Sequence, residues 1–257
     1  MTLAVHNASL RLSGVTLLDN ASIELQPGEV TAVLGPNGAG KTSLLRVLVG
    51  ELALQNGSVT LSGKALALWP ARLKARSVAV LPQHSLLDFP FTASEVVLLG
   101  RTPHETGKQR DEQIVTEALA AVDATHLAAR FYTQLSGGEK QRVQLARVLA
   151  QIWDREPDNN RFLILDEPTS SFDLAHQQLT LDVVRQLAGD GVGVLMVLHD
   201  LNLAARCADR IVLMCGGLVV ESGSPHEVLN TQTISSVFGV DVSIGIHPVT
   251  GTPLVIT

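Results

Sequence analysis

The first residues whose types and spacing could do chemistry are Gly35-Pro36-Asn37-Gly38-Ala39-Gly40-Lys41-Thr42, followed by Ser43. The pattern G-x-x-x-x-G-K-[ST] is that of a phosphate-binding loop. Its glycines let backbone N–H groups converge on phosphate oxygens without interference from a Cβ. A lysine at this place reaches β- and γ-phosphates, and the hydroxyl beside it ligates Mg²⁺. The loop needs a buried strand before it and a helix after it, whose N-terminus adds free donors and partial positive charge. Both flanks are present. Val30–Leu34 is a short apolar run with β-branched residues, and Ser43–Val49 is an apolar helical run stopped by Gly50.

Two other stretches carry groups that suit the same chemistry. Phe162-Leu163-Ile164-Leu165 is an apolar strand ending in Asp166-Glu167. Ligands collect at the carboxyl ends of parallel strands. There Asp166 would hold Mg²⁺ through its water shell, and Glu167 would polarise an attacking water. Without the loop upstream, the same pair would be an ordinary acidic junction on the surface. Leu135-Ser136-Gly137-Gly138-Glu139-Lys140-Gln141 sets Ser136 and Glu139 three apart, a capping box at the head of a helix. Capping does not explain Gly137 and Gly138, which are poor helix formers in a first turn. Two glycines there leave N–H groups open to a phosphate.

The elements that must position these residues alternate along the chain. Residues 2–26 read as short antiparallel strands with turn signals at Ser13-Gly14 and Asp19-Asn20. Gly57–Gly63 and Ser77–Leu81 read as further strands, the second ending at Pro82-Gln83. From His84 to Gln134 the pattern turns helical, with Ala93–Leu99 and Asp111–Val122 separated by the breakers Pro103 and Gly107. Leu135–Trp153 reads as a long helix, followed by a polar loop over Asp154–Arg161. Val192–Leu198 is another buried strand, after a helical stretch at Leu174–Leu187. Strands alternating with helices imply a parallel sheet with right-handed crossovers. Ile211–Cys215 and Leu218–Ser222 read as a hairpin across Gly216-Gly217, and the chain closes with a helix, Thr231–Phe238, and a hairpin, Val242–Ile246 with Leu254–Ile256.

Composition excludes several classes. The 257 residues suit one large domain or a core with a subdomain. Lys plus Arg number 19 against 25 Asp plus Glu, a net charge of −6, which argues against nucleic acid as a partner. The two cysteines, Cys207 and Cys215, form no Cys-x-x-Cys and read as reduced thiols. Neither a signal peptide nor an apolar run of membrane-spanning length is apparent, so the chain is expected to be soluble on its own.

Taken in order, these motifs resemble those of ATP-binding-cassette ATPases, the motor subunits of ABC transporters, over nearly the whole chain. Gly35–Thr42 matches the family's Walker A loop, Phe162–Asp166 with Glu167 matches Walker B and its catalytic glutamate, and Leu135–Gln141 matches the L-S-G-G-[EQ]-x-Q signature. Gln83 matches the Q-loop, Ser170-Ser171-Phe172-Asp173 resembles the D-loop, and His199 matches the switch histidine. The resemblance implies an α/β fold: a P-loop NTPase core with a parallel sheet, an N-terminal antiparallel β-subdomain and an inserted α-helical subdomain. Residues 1–83 and 154–257 would form the core and 84–153 the helical part. It implies ATP and Mg²⁺, bound by Gly35, Pro36, Asn37, Gly38, Ala39, Gly40, Lys41, Thr42, Ser43 and Asp166, with Thr42, Gln83 and Asp166 on the metal. It makes Glu167, His199 and Gln83 catalytic. It also implies a head-to-tail homodimer in which Ser136, Gly137 and Gly138 close over the partner's γ-phosphate. The dimer would drive two copies of an integral-membrane permease from the cytoplasmic face of the inner membrane, as a peripheral protein.

The family usually places an aromatic residue upstream of the loop to stack on adenine. Ser9–Ser13 contains none, so Leu12 or Arg11 would pack on the base. Phe172 stands where the family often has leucine. Gly100-Arg101-Thr102-Pro103-His104 resembles a stretch of ATPases that serve siderophore, cobalamin and haem importers. Gln144–Trp153, Asp173–Gln177 and Leu198–Ala205 look most like the haem branch, in which an exported haem-binding protein delivers cargo to the permease. His104 and His176 read as solvent-facing polar positions. The rival classes fit less well. A cassette acting on DNA or ribosomes usually carries two cassettes, long coiled coils or zinc cysteines, and a small-molecule kinase has no use for Leu135–Gln141.

Overall fold

The computed structural model describes residues 2–83, 87–155, 160–170 and 172–257. The chain starts with two antiparallel strands, β1 (Leu3–Leu12) and β2 (Val15–Leu25), that turn at Ser13-Gly14. Next come β3 (Val30–Leu34), α1 (Lys41–Leu48), β4 (Asn56–Leu61), β5 (Lys64–Ala65), α2 (Ala71–Ser77) and β6 (Val78–Leu81). Three helices follow: α3 (Ala93–Leu98), α4 (Lys108–Ala121) and α5 (Gly137–Gln151). The chain then alternates through β7 (Phe162–Asp166), α6 (Leu174–Gly189), β8 (Gly193–Val197), α7 (Leu201–Cys207) and the hairpin β9 (Arg210–Cys215) and β10 (Leu218–Gly223). It ends with α8 (Pro225–Val228), α9 (Thr231–Phe238), β11 (Ser243–Ile246) and β12 (Pro253–Ile256).

The main sheet has the order β10-β9-β3-β8-β7-β6, parallel from β9 to β6, with β10 antiparallel at its edge. A second sheet, β2-β1-β4-β5, is antiparallel throughout. All residues of β3, β7 and β8 are buried, which is why these strands read as unbroken apolar runs. Alternation along them sends side chains into two cores. Val33, Ile164, Leu195 and Val197 pack with α1 and the antiparallel sheet. Ala32, Leu34, Leu163, Leu165, Val194 and Met196 lie in a core shared with α3, α4, α5, α6 and α7. Helix α1 is thereby held between the two sheets, directly behind the phosphate loop.

The elements depart from the sequence reading at several places. β1 and β2 are long, at 10 and 11 residues, and Asp19-Asn20 lies inside β2 rather than in a turn. Asn20 has a φ of 51° and its N–H donates to Ser9 Oγ at 3.1 Å, so the pair marks an irregularity in the ladder. Helix α5 spans a shorter range than Leu135–Trp153, because Ser136 caps it and Ile152 ends it.

Candidate functional site

Strand order builds the site. β3, β8, β7 and β6 lie side by side and run the same way, with Val33 and Asp166 both level with Val197, and Leu81 level with Leu165. The segments leaving their carboxyl ends therefore start together: the Gly35–Gly40 loop from β3, His199 from β8, Asp166-Glu167 from β7 and Gln83 from β6. Ligands collect at such an edge.

The loop admits little substitution. Gly40 has a φ of 97°, and a Cβ there would stand 2.5 Å from the Leu17 carbonyl oxygen of β2. Lys41 is only 7% exposed, and its Nζ donates to the Gly35 and Pro36 carbonyls at 2.7 and 2.9 Å. Burial lowers the lysine pKa, opposed by the charges of Glu167 and Asp166. Asp166 is 5% exposed. Burial raises its pKa, with the neighbouring Thr42 hydroxyl working the other way. Its Oδ1 is buried with no partner among the described residues. A carboxylate oxygen left bare in the interior is costly, and a cation there would satisfy it. The donors expected for the metal are all oxygen: the Thr42 hydroxyl beside Asp166, the Asp166 carboxylate, and the amide oxygen of Gln83, whose Nε2 reaches the adjacent Glu167. Mg²⁺ prefers that set, and it is usually held by one or two protein oxygens plus substrate phosphates. Among the described residues, no group of three or more His, Cys, Asp and Glu could hold a metal ion.

Glu167 is gripped from both sides. Its Oε2 accepts from Gln83 Nε2 at 2.8 Å, and its Oε1 lies 2.5 Å from His199 Nε2. Its backbone is left-handed, φ 51°, a conformation that costs about 1–3 kcal/mol in a residue other than glycine. The Glu167 N–H donates to the Val197 carbonyl at 3.2 Å, which holds the kink against the end of β8.

The signature residues are presented separately. Ser136 caps α5: Glu139 N–H donates to Ser136 Oγ at 3.3 Å, and Ser136 N–H to Glu139 Oε2 at 2.7 Å. These bonds, with Arg130 on Oε1 at 2.6 Å, hold the Glu139 carboxyl at about 2. A Cβ at Gly137 would meet nothing within 4 Å. No hydrogen bond or ion pair among the described residues joins 136–138 to the phosphate loop. Gln141 Nε2 does donate to the Pro168 carbonyl at 2.7 Å, tying α5 to the residue after Glu167. Sequence spacing could not reveal that tie.

The remaining residues have plain placements. Leu12 and Val15 are exposed on either side of the β1–β2 turn, and Arg11 is exposed beside them. In the D-loop stretch, Ser170 Oγ donates to the Glu167 carbonyl at 3.1 Å; Ser171 lies outside the described residues. Asp173 caps α6, and His176 Nδ1 sits 2.7 Å from its carboxylate, so His176 belongs to a helix cap. His104 is half-buried, not solvent-facing, with Nε2 2.7 Å from the Gln151 carbonyl.

A phosphate loop, a strand-end carboxylate pair and a Gln–His grip on the outer carboxylate, all on one parallel edge, define a nucleoside triphosphatase domain. Comparison with known proteins narrows the class. The family model described as ABC transporter matches residues 18–170. A protein of Gloeobacter violaceus named hemin import ATP-binding protein HmuV is 55% identical over 249 residues, 96% of this chain and 90% of that protein. Among solved structures, an ABC transporter in an inward-facing conformation shares the fold at a TM-score of 0.81 and 26% identity, over 99% of this chain and 96% of that one. The dimeric structure of a bacterial ABC transporter cassette gives a TM-score of 0.76 at 23% identity, over 86% of this chain and 98% of that one. The chain belongs to the ABC transporter family, as one of its ATPase subunits. Among the described residues, no helix is long and apolar enough to cross a membrane.

Proposed function

We propose that this ATPase works with Mg²⁺ as the paired motor of an importer that carries haem across the inner membrane. One observation carries the chemistry: the level strand ends bring Lys41, Asp166, Glu167, Gln83 and His199 into one cluster. Gly35–Ser43 holds the triphosphate through backbone N–H groups. Lys41 turns from the loop carbonyls to the β- and γ-phosphate oxygens. Thr42, Gln83 and Asp166 would hold Mg²⁺, which when bound would supply charge neutralisation for the phosphate oxygens. Gln83 and His199 orient Glu167, which takes a proton from water. The water oxygen bonds to the γ-phosphorus as the bond to the β–γ bridging oxygen breaks, and ADP leaves with that electron pair.

Ser136, Gly137 and Gly138 serve the site of a second copy in a head-to-tail homodimer. The open space over Gly137 supports that role. Residues 1–83 and 154–257 act as the nucleotide core, and 84–153 meets one of two permease copies. The groove along Phe91, Leu98, Leu99 and Thr102, where both leucines are exposed, suits that contact. The family resemblance implies a permease groove near Leu86–His104, of which Leu86 lies outside the described residues. The protein is peripheral on the cytoplasmic face, and the exported haem-binding protein acts on the permease rather than on this chain.

The cargo rests on kinship with a full-length relative named for hemin import, at 55% identity. The test is growth of a deletion strain on haem as sole iron source, beside growth on siderophore-bound iron and cobalamin-dependent growth. Loss of haem use alone is the expected result. Normal haem use with loss of siderophore or cobalamin uptake would reassign the cargo and leave the ATPase chemistry standing.

A further inference from the structure

The Gly100–His104 stretch takes no part in the cluster at the strand ends, yet its polar groups are densely bonded. Gly100 lies so close to α5 that a Cβ would stand 2.2 Å from the Arg147 carbonyl oxygen. That approach brings Arg101, 2% exposed, under the last turn of α5. Its Nη1 donates to the Ala150 carbonyl at 2.8 Å, its Nε to Asp111 at 2.9 Å, and its Nη2 to Asp154 at 2.7 Å and Thr106 Oγ1 at 3.0 Å. His104 Nε2 meets the next carbonyl, Gln151, at 2.7 Å. Carbonyls of a final helical turn have no partner within the helix, so Arg101 and His104 together close the C-terminal end of α5.

The same end is tied to the sheet. Gln151 Nε2 donates to the carbonyls of Ala75 and Val78, at 2.7 and 3.1 Å. Arg72 and Arg76 reach the Pro103 carbonyl at 2.8 and 2.9 Å. Both belong to α2, which runs straight into β6 and so to Gln83.

We propose that Arg101 is a positioning residue for ATP hydrolysis: by fixing the C-terminal end of α5, it sets where the opposite end, Ser136–Gly138, stands against the partner's nucleotide. The proposal rests on the reading of Ser136–Gly138 as completing a second copy's site. Helix α5 has 15 residues, a lever of about 22 Å at about 1.5 Å per residue. A tilt of about 5° about its C-terminal end would move the serine end by about 2 Å, and a misplacement of about 1 Å can lower a rate by about 100-fold. An arginine suits the task because its planar fork serves several acceptors in fixed directions at once, whereas a lysine is a single point charge on a flexible stem.

The experiment is Arg101→Lys in the full-length chain, with kcat, affinity for a fluorescent ATP analogue and thermal midpoint measured together. The expected result is a folded variant whose kcat falls by about tenfold or more while analogue affinity stays within about twofold of wild type. In a Glu167→Gln background, the ATP-dependent dimer should weaken as well. Wild-type kcat in a folded variant overturns the proposal. So does a fall in affinity that tracks kcat, which marks general damage rather than a misplaced helix end. Should Arg101→Lys fail to fold, Asp154→Ala carries the same test, since it removes the acceptor of one Nη2 bond and leaves the arginine its bonds to Asp111, Thr106 and Ala150. Ser136→Arg runs alongside. Normal hydrolysis by that variant sinks the two-subunit reading itself, whereas an inactive Ser136→Arg beside a normal Arg101→Lys sinks only the positioning role.

Discussion

Replacing Glu167 with glutamine keeps the side-chain volume and changes its chemistry. The carboxylate accepts from Gln83 Nε2 at 2.8 Å on one oxygen and meets His199 Nε2 at 2.5 Å on the other. An amide keeps one acceptor. It satisfies Gln83 with its oxygen and turns its NH₂ to His199, which can accept at Nε2 as the other neutral tautomer. The kink also survives, because its tie to Val197 is made by the backbone N–H. What disappears is the proton acceptor. A positioned general base contributes about 10²–10⁴ in rate, which corresponds to about 3–5 kcal/mol of barrier at 1.36 kcal/mol per decade. The phosphate-loop contacts, with Lys41 at their centre, are untouched. Phosphate release at saturating ATP should therefore fall by about 100-fold or more, with nucleotide affinity near wild type and an ATP-dependent dimer visible by light scattering. Turnover close to wild type in a folded Glu167→Gln would refute the assignment of the base. A variant that binds ATP, does not hydrolyse it and stays monomeric would refute closure across two subunits.

Two further outcomes follow from the signature helix. Ser136→Arg should leave nucleotide binding nearly intact and stop hydrolysis, because Ser136 is exposed and, among the described residues, joined by no bond to its own loop; mixing it with Lys41→Ala should restore at most one competent site per dimer, read as phosphate release against mixing ratio. The Glu139 carboxyl titrates at about 2 in the folded protein against its ordinary 4.5, so its stabilising effect is fully present above about pH 4.5 and is lost as pH falls toward 2. Glu139→Gln should flatten the dependence of the thermal midpoint on pH across that window, and an unchanged slope would count against the capping box as its cause.

Reading the sequence succeeds where chemistry restricts residue types and fails where geometry is non-local. Val30–Leu34, Phe162–Leu165 and Val192–Leu198 read as buried strands because both faces of each must be apolar, and all three are strands of the main sheet. The neighbour order β3-β8-β7-β6 is set by crossovers between distant segments, which no local pattern encodes. Gln83 and Glu167 are each recognisable from their motifs, but the hydrogen bond between them spans 84 positions. Asp19-Asn20 misleads because the residues that favour turns also tolerate the left-handed backbone of a strand irregularity. Helices α2 and α7 go unread because seven residues are too few for a helical period to stand out. Gly100–His104 is noticed only as a likeness to other chains. Its physical reason, the closed end of α5, lies in carbonyls that every sequence possesses.

The division of the interior by the main sheet makes chain neighbours answer to different masters. Ile164 belongs to the side of α1 and the phosphate loop, whereas Leu165, one peptide on, belongs to the side of the helices that carry Ser136. Each strand thus feeds two separate cores with alternate side chains. Shaving Ile164 loosens the floor beneath the nucleotide in its own subunit. Shaving Leu165 loosens the core shared with the helix that Ser136 caps. Alternate letters of a single strand thus divide between the support of the phosphate loop and the support of the signature helix.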